Sequence, residues 1–184
     1  MTLASPEIIY VSVVIDTDYV KDHYSPNSDK NNPKGIAHNS QYMIVDYQHV
    51  YANQATADLH IKANPGDTVR FYGTCIQANS SDAVLLYGMP KFGGDNVFGP
   101  FRYSPFTLDN AVMPDSNQPD GLPPLTTKLT FPVFTADVLG SGTENFKVWF
   151  ALYQQNGSSQ ELYGYYQWDP TITSGGAGLR LAVR

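Results

Sequence analysis

Several kinds of chemistry are short of the residues they need in this chain. It has one cysteine and three glutamates in 184 residues, and its 11 basic residues are scattered singly among 17 acidic ones. A lone cysteine excludes an intrachain disulfide. Cys75 also stands in phase with Val69 and Phe71, where a small buried hydrophobe fits, and no histidine neighbourhood marks it as a nucleophile. Glu7, Glu144 and Glu161 each lack a second carboxylate nearby in sequence, so nothing recommends a glycosidase couple. A formal charge of −6 with no basic cluster disfavours nucleic acid and anionic membrane as partners. His23, His38, His49 and His60 follow no zinc-ligand spacing, and the phosphate-cradling and nucleophile-elbow motifs are missing from their required contexts. No apolar run nears the roughly 20 residues of a membrane-spanning helix. Residues 1–6 do not open a Sec signal, because no charged segment leads into an apolar one. The expectation is a protein without cofactor or metal, and not an enzyme. Charge as a whole is scarce too, at 15% of residues against roughly 25% in an average domain, which leaves the surface weakly protected against self-association.

What the chain does have is alternation. Ile9, Val11, Val13 and Ile15 share one face of an extended segment, and Tyr10, Ser12, Val14 and Asp16 share the other. Ala57, Leu59, Ile61 and Ala63 alternate with Asp58, His60 and Lys62. Further strands are expected at 69–75, 83–88, 128–134, 146–154, 162–168 and 179–183, with Pro132 marking an edge or a bulge. About nine strands punctuated by Gly, Pro, Asn and Ser predict an all-β fold, an antiparallel β-sandwich, as a single domain over 1–184. The predicted core contains Val11, Val13, Leu59, Ile61, Phe71, Val148 and Phe150. Two long connections, 21–40 and 91–126, interrupt the pattern. The second carries six prolines and Phe92, Phe98, Phe101, Tyr103 and Phe106, which suggests packing against something, and a short helix is expected at 107–112.

Two groups of residues have the geometry of a site. Asp16 and Asp18, two apart at a strand end, would project from one face and, joined by Asn39 or Asp46, could form part of a hard-cation site. Alternatively Asp16 caps the following loop through its backbone N–H groups. Tyr163 and Tyr165 lie on one face of their strand, opposite Tyr166, Trp168 and Leu162. They either stack on a sugar or belong to the packing of the sandwich.

The run 8–20, ending in Asp16-Thr17-Asp18-Tyr19, the segment Gly35-Ile36-Ala37-His38-Asn39 and the strand opening Tyr42-Met43-Ile44-Val45-Asp46 resemble the PixA/AidA family of bacterial inclusion body proteins. Gly66-Asp67-Thr68-Val69-Arg70-Phe71 and Trp168-Asp169-Pro170-Thr171-Ile172 extend the resemblance over residues 8–173. His38 and Asn39 match the family pattern without an assigned role. The resemblance implies a cytoplasmic, non-enzymatic protein that accumulates and assembles, tied to host association or population density. The methionine-rich, inclusion-forming type differs from this chain, which has four Met, so methionine storage does not carry over. The expected partner is a second copy, in a homo-oligomer and most simply a dimer. The alternative is a lectin-like module that binds a glycan, with calcium assistance, through Asp16, Asp18, Asn39 and the tyrosines.

Overall fold

The computed structural model describes residues 5–175. In chain order the elements are β1 (Ile8–Ile15), α1 (Thr17–His23), β2 (Lys34–Gly35), β3 (Gln41–Ile44), β4 (Val50–Ala52), β5 (Leu59–Ile61), β6 (Thr68–Cys75), β7 (Ala83–Gly88) and β8 (Lys91–Gly94). There follow β9 (Arg102–Tyr103), β10 (Phe106–Met113), β11 (Leu125–Phe131), β12 (Phe134–Asp137), β13 (Gly142–Phe146), β14 (Val148–Asn156), β15 (Ser159–Trp168) and β16 (Thr171–Ser174).

The alternating pattern of β1 has a direct outcome. Ile9, Val11, Val13 and Ile15 are fully buried, whereas Ile8 and Tyr10 stay exposed. β1 lies in a five-stranded sheet of order β3-β1-β6-β12-β9. Facing it are the sheets β4-β5-β16-β13-β8 and β2-β15-β14-β7, which are joined where two strands of one continue into two strands of the other. β13 runs into β14 across Lys147 alone, and β15 into β16 across Asp169 and Pro170. The two layers meet at Phe71, whose ring stands edge-on to Phe146 at 6.1 Å, and at Gly73, where a Cβ would come within 2.6 Å of Leu86. All seven residues predicted for the core are at most 1% exposed.

The fold is therefore the expected all-β sandwich, with more and shorter strands than the alternation suggested and with mixed pairing. β1 pairs with β6 in parallel, as does β16 with β5, because the chain visits the opposite layer between them. Residues 107–112 are not a helix. They lie in β10, which pairs with β11. A shift of register between Leu108 and Ala111 breaks the alternation there and hid the strand. The expected strand at 128–134 is two, since Pro132 has no N–H to give to a ladder. β11 stops at Phe131, and Phe134 begins β12 in another sheet. The connection 91–126 holds β8, β9 and β10. Within it, Phe98 and Phe101 pack on the core, while Phe106 covers Tyr10 at 6.5 Å. The strand expected at 179–183 lies outside the described residues.

Among the described residues β10 and β11 pair only with each other and form a two-stranded arm. It leaves and rejoins the sandwich at one point, where β9 pairs with β12 and the Ser104 N–H donates to the Val133 carbonyl at 2.8 Å. Its root is fixed on the outer face of the first sheet. Phe106 and Phe131 stack at 5.1 Å, and the Arg70 guanidinium lies over both Tyr10 and Phe106.

Candidate functional site

The sequence candidates fall into separate hydrogen-bond networks. Asp16 is the N-cap of α1. The Tyr19 N–H donates to its Oδ1 at 3.0 Å, and its own N–H donates to the Ser40 carbonyl at 2.8 Å. The chain turns helical at Thr17, so Asp18 does not share a strand face with Asp16; the same-face geometry is overturned. A helix follows because Asp16 satisfies an orphan N–H of the first turn and Asp18 places negative charge there. Asp18 pairs with Lys21 at 3.0 Å. Asn39 does reach this group, through its side-chain N–H to the Tyr19 hydroxyl at 3.1 Å. Asp46 is elsewhere, closing the turn before β4 by accepting from the Gln48 and His49 N–H groups. Among the described residues no three His, Cys, Asp or Glu side chains converge as a metal site.

Two histidines, His38 among the candidates and His49 beside Asp46, each bridge two carboxylates. His38 sits between Asp58 and Asp169 at 3.3 and 3.2 Å. His49 sits between Asp46 and Glu7 at 2.7 and 2.8 Å. Burial alone would lower the His49 pKa, but its bonds to Asp46 and Glu7 outweigh this and raise it. Burial likewise pushes Asp46 up, and its bonds from His49 and Gln48 bring it below the usual value. With a raised histidine, the stabilisation is complete below about pH 6.5 and fades as pH rises through the higher folded value. With a lowered aspartate, it is present above about pH 4 and fades below. Thermal melts of wild type and His49→Ala should therefore differ most between about pH 4 and 6.5 and converge towards alkaline pH. A difference that grew with pH would contradict the bridge.

The two tyrosines part company. The register shift between Leu152 and Tyr153 inserts an extra residue into β15 and moves Tyr163 to the side of Tyr166, with which it stacks at 6.3 Å. Its hydroxyl donates to the Lys21 and Tyr24 carbonyls, which end α1. Leu162, placed from sequence on the face of Tyr166 and Trp168, is 40% exposed for the same reason. Tyr165 stays on the outer face, edge-on to Tyr87 at 5.5 Å, and Tyr87 in turn meets Trp149 at 5.8 Å. Burial, then the nearby Tyr165 and Asp29, push the Tyr87 hydroxyl up to about 12.

Tyr87 and Trp149 border a cleft of about 770 Å³, which Phe98, Phe101, Lys91 and Glu144 also line. Glu144 is 2% exposed and accepts from the Val97 and Phe98 N–H groups at 2.7 and 2.9 Å, with the Lys91 ammonium at 3.8 Å. The volume falls in the range of small-molecule sites. Sequence reasoning did not find this cleft, because its walls come from 87–101, 134–149 and no single motif. One signal was present: Glu144 is an acidic residue next to Phe146 at the start of a strongly apolar stretch.

A family model described as an inclusion body protein, PixA, matches residues 7–174. Among solved structures, the crystal structure of an inclusion body protein (PixA) from Burkholderia cenocepacia J2315 superposes with a TM-score of 0.79 and 28% sequence identity. The match covers 95% of this chain and 100% of that one. No curated protein matches the chain.

Proposed function

The chain belongs to the PixA family of inclusion body proteins, and from that premise we propose that it is a non-enzymatic protein whose role is to accumulate by self-assembly. Its building block is a homo-oligomer, most simply a twofold dimer, since closed twofold assembly is the commonest solution. Its setting is the bacterial cytoplasm, in a response to host association or population density. The observation that carries this reading is the surface. Leu108, Val112, Met113, Leu125 and Leu129 of the arm are 38–70% exposed, and so are Ile8, Tyr10 and Ile44 of the adjoining sheet at 39–47%. With charged residues at only 15%, little opposes association of such a surface. Three buried groups with chemical potential have structural partners. Glu144 holds two backbone N–H groups, Asp82 pairs with Lys21, and the Cys75 thiol donates to the Asp82 carbonyl.

Multi-angle light scattering over a concentration series tests the reading. Mass should rise with concentration above that of one chain and hold when salt is added, because burial of apolar surface is not screened as ion pairs are. A monomer at high micromolar concentration would overturn it.

A glycan-binding role is the second reading, and it is favoured by the Tyr87, Trp149 and Tyr165 cluster beside the cleft. Flat rings with polar neighbours in a concave surface suit a sugar face. Glycan-array binding with and without chelator checks it, and loss of signal in Trp149→Ala would locate it. An array with no signal would end this reading.

A further inference from the structure

The arm is amphipathic, yet among the described residues its apolar face beyond the root stays largely exposed. In register, Phe106, Leu108, Ala111 and Met113 stand opposite Phe131, Leu129, Thr127 and Leu125, so these residues share one face. Thr107, Val112, Thr126, Lys128 and Thr130 share the other. Alternation of this kind is the pattern of a strand pair with one buried side, and a two-stranded sheet by itself is marginal in water. Among the described residues only the root of the apolar face and Ala111, 6% exposed, are covered. Leu108, Met113, Leu125 and Leu129 remain 38–51% exposed. Beside the root, on the outer face of the first sheet, lies an open apolar groove of about 550 Å³ between Tyr10, Tyr72, Phe106, Leu108 and Phe131. Ile44 extends the same face across Ser12, since Ser12 pairs with Ile44 on one side and Tyr72 on the other.

We propose that the free apolar face of the arm packs into this groove on a second copy of the chain, reciprocally about a twofold axis. The inference rests on the self-assembly reading and names its interface. A projecting apolar face and a groove of the same character occur on one chain, so a single twofold operation satisfies both and closes the assembly. Charge agrees with this choice of occupant. The arm carries Asp109, Asp115 and Asp120 against Lys128, a net of −2 from three acidic residues and one basic. The receiving face carries Arg70, with Arg102 two strands away across Thr135. On that face the Arg70 guanidinium donates to the Tyr10 hydroxyl at 2.8 Å and lies against Tyr10 and Phe106, which holds its positive charge beside the groove for an incoming acidic arm. Asp137 on the same face already accepts from Thr68.

Two neighbouring substitutions that add the same charge to opposite faces of the arm test the interface. Leu125→Glu places a carboxylate in the apolar face, and Thr126→Glu places it on the far side. Light scattering should show Leu125→Glu as a monomer where wild type and Thr126→Glu are dimers, a rise of at least tenfold in the dissociation constant. Circular dichroism and melting should show the sandwich intact in both. If Leu125→Glu disturbs folding, Leu125→Ser supplies the same comparison. Wild type that assembles while Leu125→Glu and Leu125→Ser assemble equally well overturns this interface and leaves self-assembly standing. Dissociation by Thr126→Glu to the same extent also overturns it. A monomeric wild type overturns both readings, and a monomeric wild type that co-sediments with phospholipid vesicles would assign the arm to a lipid surface instead.

Discussion

Replacing Glu144 by alanine should lower stability by about 3–6 kcal/mol, because each hydrogen bond to a buried charged acceptor contributes about 1.5–3. Here one carboxylate oxygen receives two, from the Val97 and Phe98 N–H groups. Both donors are backbone groups of residues at most 5% exposed, and removing the acceptor strands them. For a chain of this size the expected fall in melting temperature is on the order of 6–24 °C, at about 2–4 °C per kcal/mol. Glu144→Gln keeps an acceptor oxygen in place and should lose much less. Urea or thermal unfolding of the two variants decides. A loss under about 1 kcal/mol in the alanine variant would mean that water from the adjoining cleft replaces the carboxylate. That outcome would make Glu144 a group at the wall of a site rather than a structural anchor.

Phe150→Ala should cost about 3–5 kcal/mol, the usual range for emptying a buried phenylalanine position. Phe150 is fully buried, with Tyr166 at 5.7 Å and Trp168 at 6.1 Å between ring centres. These three residues come from the β14–β15 pair, so the cavity would open inside the layer rather than at its rim. Phe150→Leu refills most of the volume and should cost under about 1.5 kcal/mol. Equilibrium urea unfolding with an unchanged slope is the measurement. Equal losses for alanine and leucine would show that ring geometry, not volume, governs the position.

Much of the sandwich could be read from residues because period-2 burial is a local property. Val11 and Val13 announce their face without reference to any partner, and so do Val69 and Phe71. The cap at Asp16 was legible for the same reason, since its acceptor and donor are three residues apart. What escaped were departures from the period. The irregularity at 108–111 disguised β10, and the one at 152–153 reversed the side on which Leu162 and Tyr163 were placed. The parallel β1–β6 pair depends on which layer the intervening chain crosses, and alternation contains no such information. Candidate sites suffered more. Asp16 and Asn39 each touch Tyr19, one at its backbone N–H and the other at its hydroxyl, but His38 and Asp46 belong to other networks, and Tyr163 and Tyr165 face different surroundings. The Glu144 cleft is assembled from strands far apart in sequence, so no spacing rule could have found it.

The neck of the arm has a consequence of another kind. Because Ser104 and Val133 stand hydrogen-bonded where the arm departs and returns, the stretch between them is topologically an insertion within a β9–β12 hairpin. The core residues of the sandwich lie almost wholly outside it. Changes in its length or polarity can therefore accumulate without passing through states that fail to fold. Under the interface proposed above, a lineage carrying this domain could gain, retune or abandon association by edits to one continuous piece of the gene. Divergence among relatives should then concentrate there, while the paired ends that flank it stay constant.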